Sequence, residues 1–188
     1  MELEKLFKHF GIQAELAAPL THKFQSLLLS KGEYFIRFNE KMNRLGILVN
    51  GLLIARFIGE EGELVTSKLY YPTADIIVVD YLGFKKQQHS IEEIEVLEDA
   101  KLFTLSYQAF TELSAASPAF QKLVADFAEE SYLKTLNSLR LLQTANAKTR
   151  IKRFLELHAP VVGKLKVEDK ASFLGMSRNS YTNNLKTL

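Results

Sequence analysis

The stretch from Ser177 to Lys186 gathers Ser177, Arg178, Asn179, Ser180, Thr182, Asn183 and Lys186. Side chains three and four apart are neighbours on a helix, so positions 178, 179, 182, 183 and 186 would share one face. These residue types suit nucleic acid. Arg can take the two acceptors of a guanine edge, Asn fits an adenine edge, and Lys, Ser and Thr suit phosphate oxygens. Phe173, Leu174, Met176, Tyr181, Leu185 and Leu188 are threaded through the same segment. The pattern describes a polar face on an apolar support.

Other chemistries find few residues to carry them. The chain has no Cys, which excludes disulfides, thiolate metal sites, iron–sulfur clusters and Cys nucleophiles. Its histidines are His9, His22, His89 and His158. A metal-dependent jelly-roll enzyme needs two or three His and a carboxylate converging inside the sheet, and only His89 falls in the strand-rich part. A lone His22 or His89 gives no haem site. No nucleophile elbow, Walker loop or dinucleotide fingerprint occurs. No enzyme, metal or cofactor is expected.

Charge is distributed in a way that agrees with an anionic partner. The formal net charge is +2, but residues 57–138 hold 6 Lys/Arg against 14 Asp/Glu, whereas residues 148–188 hold 9 against 3. An acidic body with a basic end suits an anionic ligand for that end. No run is long and apolar enough to span a membrane, and the first residues do not resemble a secretory signal, so a cytoplasmic protein is expected.

Several elements must position the polar face. "DKASFLGMSRNSYTNNLKTL" reads as two helices around a tight turn, the first over 167–174 and the second over 178–187. Gly175 ends the first and Ser177 caps the second. Ala171 and Leu174 are expected to meet Met176, Tyr181 and Leu185 in a small core. "TANAK" marks a break before a further helix over 148–158. Ser117 and Pro118 form a good helix start, and an apolar stripe continues through Phe120, Leu123, Val124, Phe127, Leu133, Leu136, Leu139 and Leu142. A helix that is apolar on more than one face needs a second cover, and the same helix of another subunit would supply it.

From Ser30 to about 106, short runs rich in Ile, Val, Leu, Phe and Tyr are separated by Gly, Asn, Asp or Pro. They predict an antiparallel barrel or jelly roll, with "GEEGE" as a hairpin turn. Residues up to about 28 read as short helices broken at Gly11 and Pro19. The expected fold class is α+β. Its three parts are a sheet domain with N-terminal helices (1–116), a long dimerisation helix (117–146) and a helix-turn-helix domain (147–188).

The order of these parts resembles the Crp/Fnr family of bacterial transcription regulators. The most specific part of the resemblance is "ASFLGMSR…NNLKTL"; "VNGLLIARF", the "GEEGE" turn and "EVLEDAKLFTL" match more loosely. It implies a cyclic-nucleotide-binding-like jelly roll, a dimer helix and a winged-helix-like end whose wing is short or absent. It also implies that Ser177, Arg178, Asn179, Ser180, Thr182, Asn183 and Lys186 face DNA. The implied partners are double-stranded DNA, a second copy of the chain and RNA polymerase, with no membrane.

Two departures stand out. Asn183 occupies a position where most members carry Arg, which alters the expected half-site. The cassette that holds a cyclic nucleotide's phosphate through Arg is replaced by "TADIIVVDYLGFKKQQHSIEEIEVLED", and no Arg occurs from residue 57 to 139. Any effector pocket would draw on Asp75, Lys85, Lys86, His89, Ser90 and Thr135. Cyclic AMP is not expected to bind there, because Glu92, Glu93 and Glu95 repel a phosphate. The alternative reading is a small-molecule-binding or protein-interaction module with a vestigial helix-turn-helix.

Overall fold

The computed structural model describes Leu3, Phe7 and residues 20–188. The expected helix breaks at Gly11 and Pro19 lie outside the described residues. Leu3 and Phe7 are helical and buried.

Six strands follow: β1 (Gln25–Leu29), β2 (Tyr34–Ile36), β3 (Arg44–Ile58), β4 (Leu64–Tyr70), β5 (Ile77–Val78) and β6 (Glu92–Ser106). Every pairing between them is antiparallel. The spine is β3 against β6, each 15 residues long and rich in apolar and β-branched side chains. Toward one end the spine takes β1 and β5 as neighbours, and toward the other end β2 and β4. The register shifts between Leu48 and Leu53, around Gly51 at φ +102°. A Cβ on Gly51 would sit 2.7 Å from the Ala100 backbone, so glycine is required both by conformation and by space. Bulges bend and twist a strand, and here they let one strand pair serve two half-sheets. The sheet is antiparallel, as expected, but its path β1-β6-β3-β4 does not close on itself. Phe35, Ile47, Leu53, Val78, Ile94 and Leu102 lie in one enclosed core.

Three local expectations need correction. Residues Gln25–Leu29 form a strand and not a helix end. Three consecutive leucines fit either period, and pairing with β6 decides the matter by turning Leu27 and Leu29 toward the core. Within the run read as strand, Tyr81–Lys86 is a short helix, α1, because Asp80 caps it by accepting from the Gly83 N–H at 3.1 Å. A further helix, α2 (Tyr107–Ala116), precedes Ser117 and is capped by Ser106.

Four more helices complete the chain: α3 (Pro118–Thr144), α4 (Ala147–Leu157), α5 (Val167–Phe173) and α6 (Arg178–Leu185). The Ser117 hydroxyl accepts from the Phe120 N–H at 3.2 Å, with Pro118 in the first turn, as expected. Phe120 and Leu123 are buried in the sheet's core. Farther along α3, Tyr132, Leu133, Leu139 and Leu142 are 62%, 52%, 47% and 40% exposed. Among the described residues no helix is long and apolar enough to cross a membrane.

Candidate nucleic-acid interface and the cavity beneath the long helix

The turn between α5 and α6 is built as the sequence implies. Gly175 takes φ +61°, and the Gly175 and Met176 N–H groups return to the Ser172 and Ala171 carbonyls at 2.9 and 3.1 Å. Arg150 of α4 donates to the Leu174 carbonyl at 2.7 Å, satisfying one of the open groups at the end of α5. Ser177 caps α6 by accepting from the Ser180 N–H at 3.1 Å. Ala171, Leu174 and Tyr181 are buried, and Met176 packs against them. Leu185, expected in that core, is 39% exposed. It is the last residue of α6.

Ser177, Arg178, Asn179, Asn183 and Lys186 are exposed, and Ser180 and Thr182 are half-buried. The Thr182 hydroxyl donates to the Arg178 carbonyl at 2.9 Å, and the Asn184 amide donates to the Ser180 carbonyl at 2.8 Å. These bonds tie two polar side chains to the helix's own backbone, while Asn179 and Asn183 are exposed. Arg178 meets Glu168 of α5 at 3.2 Å, with the two side chains 67% and 57% exposed. A pair this open is worth about 0–1 kcal/mol and yields to a stronger anion.

The helix-turn-helix is docked on the outer face of the sheet. Leu52, Ile54, Leu69 and Tyr71 form one core with Ile151, Phe154, Val161, Leu165, Ala171, Leu174 and Tyr181. Through this seam runs Arg56 of β3, which bonds to Asp169 of α5 at 3.0 Å and to Glu95 of β6, with Glu93 at 3.7 Å. Burial disfavours the guanidinium charge, but the hydrogen bonds to Asp169 and Glu95 outweigh it and raise the Arg56 pKa. The Thr66 N–H donates to the Ser172 hydroxyl at 2.9 Å. The Tyr71 hydroxyl lies 2.9 Å from Nδ1 of His158 and 3.2 Å from the Leu157 carbonyl. None of these residues was among the sequence candidates. The available signal was Arg56 itself, a single charge inside the apolar run "LLIARFI".

A cavity of about 880 Å³ opens between the inner face of the sheet and helices α1, α2 and α3. Its apolar wall includes Ile47, Phe103, Leu105, Phe110, Leu123 and Phe127. Of the residues considered for an effector, Asp75 lies in this wall and forms ion pairs with Lys68 at 3.5 Å and Lys134 at 3.2 Å. The others lie elsewhere. Lys85 sits 5.5 Å from the centre of the Phe110 ring and, like Lys86, His89 and Thr135, is exposed and outside the cavity lining. Ser90 is buried and its hydroxyl donates to Asp80 at 2.7 Å. Asp80 thus places the chain's own carboxylate at the start of α1.

Among solved structures, this fold is that of the Crp/Fnr regulators. FixK2 from Bradyrhizobium japonicum is 16% identical, with a TM-score of 0.70 over 88% of this chain and 84% of that one. The c-di-GMP-responsive global regulator CLP from Xanthomonas campestris is 13% identical, with a TM-score of 0.75 over 93% and 91%. A structure from Eubacterium rectale, described as a transcriptional regulator of the Crp/Fnr family, is 16% identical, with a TM-score of 0.73 over 94% and 83%. No protein-family model matches the chain. No curated protein sequence matches it either.

Proposed function

We propose that this chain is a dimeric, sequence-specific DNA-binding transcription regulator of the Crp/Fnr type that does not respond to cyclic AMP. The observation that carries the reading is the exposed face of α6 and its C-cap, where Asn179, Asn183 and Lys186 are exposed and Arg178 is held only by its open pair with Glu168, on a helix anchored by Tyr181. Such a helix enters the major groove by its first turn. Arg178 is assigned to base edges, Asn179 and Asn183 to neighbouring bases, and Ser177, Ser180, Thr182 and Lys186 to the phosphate backbone. The dimer would form through the exposed leucines of α3, burying a surface that a single sheet leaves uncovered.

Binding to an arbitrary duplex at several salt concentrations tests the reading. Affinity falls steeply with salt, by roughly 0.9 logarithmic units per phosphate contact. Arg178→Ala flattens the consensus recovered from a random duplex pool. Lys186→Ala weakens all sequences alike and reduces the salt slope by about one. Glu at both Leu136 and Leu139 gives monomers by light scattering. Calorimetry with cyclic AMP shows nothing tighter than millimolar, about −4 kcal/mol. A second reading, a ligand-binding or interaction module with a vestigial helix-turn-helix, is favoured by the Arg178–Glu168 pair, which occupies one of the two charged side chains in residues 177–188. Salt-independent or undetectable duplex binding selects that second reading.

A further inference from the structure

We propose that the cavity between the sheet and α3 binds a non-nucleotide small molecule with an apolar body and an amine head, the amine seated at Glu92. This deepens the regulator reading by naming the chemistry of its effector, and it rests on that reading only for the consequence of binding.

The first argument is size and lining. A volume of about 880 Å³ lies within the ~300–1,000 Å³ range of small-molecule sites, and its walls are aromatic and aliphatic. The second is the rim. Tyr81, Leu82 and Ile91 all line the cavity and are 60%, 50% and 63% exposed. Three large apolar side chains left in water at the mouth of an apolar cavity give an entering hydrocarbon its first contacts.

The third is charge. The lining carries the carboxyl groups of Asp75, Asp80, Glu92 and Glu130 against the ammonium groups of Lys68 and Lys134, and no Arg. Both lysines are already committed: Lys134 to Asp75 and to Glu130 at 2.8 Å, and Lys68 to Asp75. Asp80 is committed to the Gly83 N–H and the Ser90 hydroxyl. Glu92 accepts from the Ser67 hydroxyl at 2.8 Å, and a carboxylate has acceptor sites for several donors. Burial, with the charge of Asp80, raises the Glu92 pKa, and the Ser67 bond and the charge of Lys68 compensate for this only in part. An ammonium would supply that compensation through a charge-assisted hydrogen bond, whereas a phosphate or carboxylate would add to the repulsion.

The test uses the full chain without DNA, so loss of duplex binding and loss of ligand binding are read separately. Nile red reports occupancy of the cavity, and octylamine, octanol, octanoate and cyclic AMP compete for it. Octylamine displaces the dye at the lowest concentration, and octanol needs roughly tenfold more, the order expected for one charge-assisted hydrogen bond. Octanoate and cyclic AMP displace none in the millimolar range. Glu92→Gln brings octylamine to the level of octanol and leaves octanol unchanged. Val124→Trp fills the cavity and abolishes dye binding, with the fold checked by circular dichroism. Octanoate matching octylamine, micromolar competition by cyclic AMP, or no displacement by any octyl compound overturns the proposal on the unmutated chain alone. An unchanged amine preference in Glu92→Gln overturns the role of Glu92.

Discussion

The two hydrophobic cores meet at β3 and differ in what they hold. The inner core faces α2 and α3 and borders a cavity of about 880 Å³. The outer core joins the sheet to the helix-turn-helix and has Arg56 running along its edge, bonded to carboxylates from two elements. Hydrophobic contact is tolerant of small slips, because it has no direction. A guanidinium bonded to Asp169 and Glu95 is directional and fixes one relative placement of its partners. The sheet therefore has a spacious side suited to accommodating something and a specific side suited to holding the helix-turn-helix in place. Residues of β3 alternate between these sides: Leu53 and Ala55 belong to the inner core, and Leu52 and Ile54 to the outer. A change on one face is thus one residue away from the other.

The largest way to break the contrast is Arg56→Ala. Removing one partner of a buried ionic group leaves Asp169 and Glu95 without their cation, which typically costs about 3–5 kcal/mol. Denaturant unfolding should show a loss of that order. Hydrogen exchange should show α5 exposed well before the β3–β6 spine. A loss below about 1 kcal/mol would mean that the outer core is held by its apolar contacts alone.

A matched pair of truncations sharpens the comparison at smaller magnitude. Leu174 in the outer core and Leu123 in the inner core are both buried, 2% and 5% exposed. Leu→Ala costs about 2–5 kcal/mol, and the cost grows with the void left behind. Leu123 already borders open space, so it has fewer partners to lose. Leu174→Ala should fall near the upper end and Leu123→Ala near the lower. Equal costs would mean that the cavity is closed in solution.

The sequence showed elements better than it showed their meeting places. The turn at Gly175, the cap at Ser177, the start of α3 and the β3–β4 hairpin each depend on a residue whose local chemistry fixes the backbone. The antiparallel sheet was legible through strand spacing and turn residues, and its cyclic-nucleotide-type arrangement only through the resemblance. Tyr81–Lys86 was missed because its cap, Asp80, sits at the end of a run of Ile and Val that reads as strand. The seam was not legible because Arg56 and Asp169 are 113 residues apart, and no local pattern links them. Among the effector candidates, Asp75 lines the cavity, but the hydrophobic walls that define it come from segments scattered along the chain and carry no motif.

The smallest expected effect lies at the other end of the seam. His158 is half-buried against the rings of Phe154 and Phe173, at 4.8 and 5.4 Å between centres, and touches Tyr71. Burial holds its pKa below the ordinary 6.5, and Asp75 opposes this only in part. The folded chain thus prefers the neutral ring. Above the unfolded value both states are neutral and His158 contributes no pH dependence. As pH falls through about 6.5 the unfolded chain takes up the proton first, so stability is lost on acidification until the folded ring also titrates. Glu92 and Glu93, raised by burial, have the opposite slope at lower pH, because their contribution is lost as pH rises through their own values. The measurement is therefore a difference. Thermal midpoints of the unmutated chain and of His158→Gln, compared at pH 7.5 and 5.5, should converge toward the acid side as the native ring loses its advantage. A constant gap between them would show that His158 does not titrate with folding and that the Tyr71 contact is indifferent to its charge.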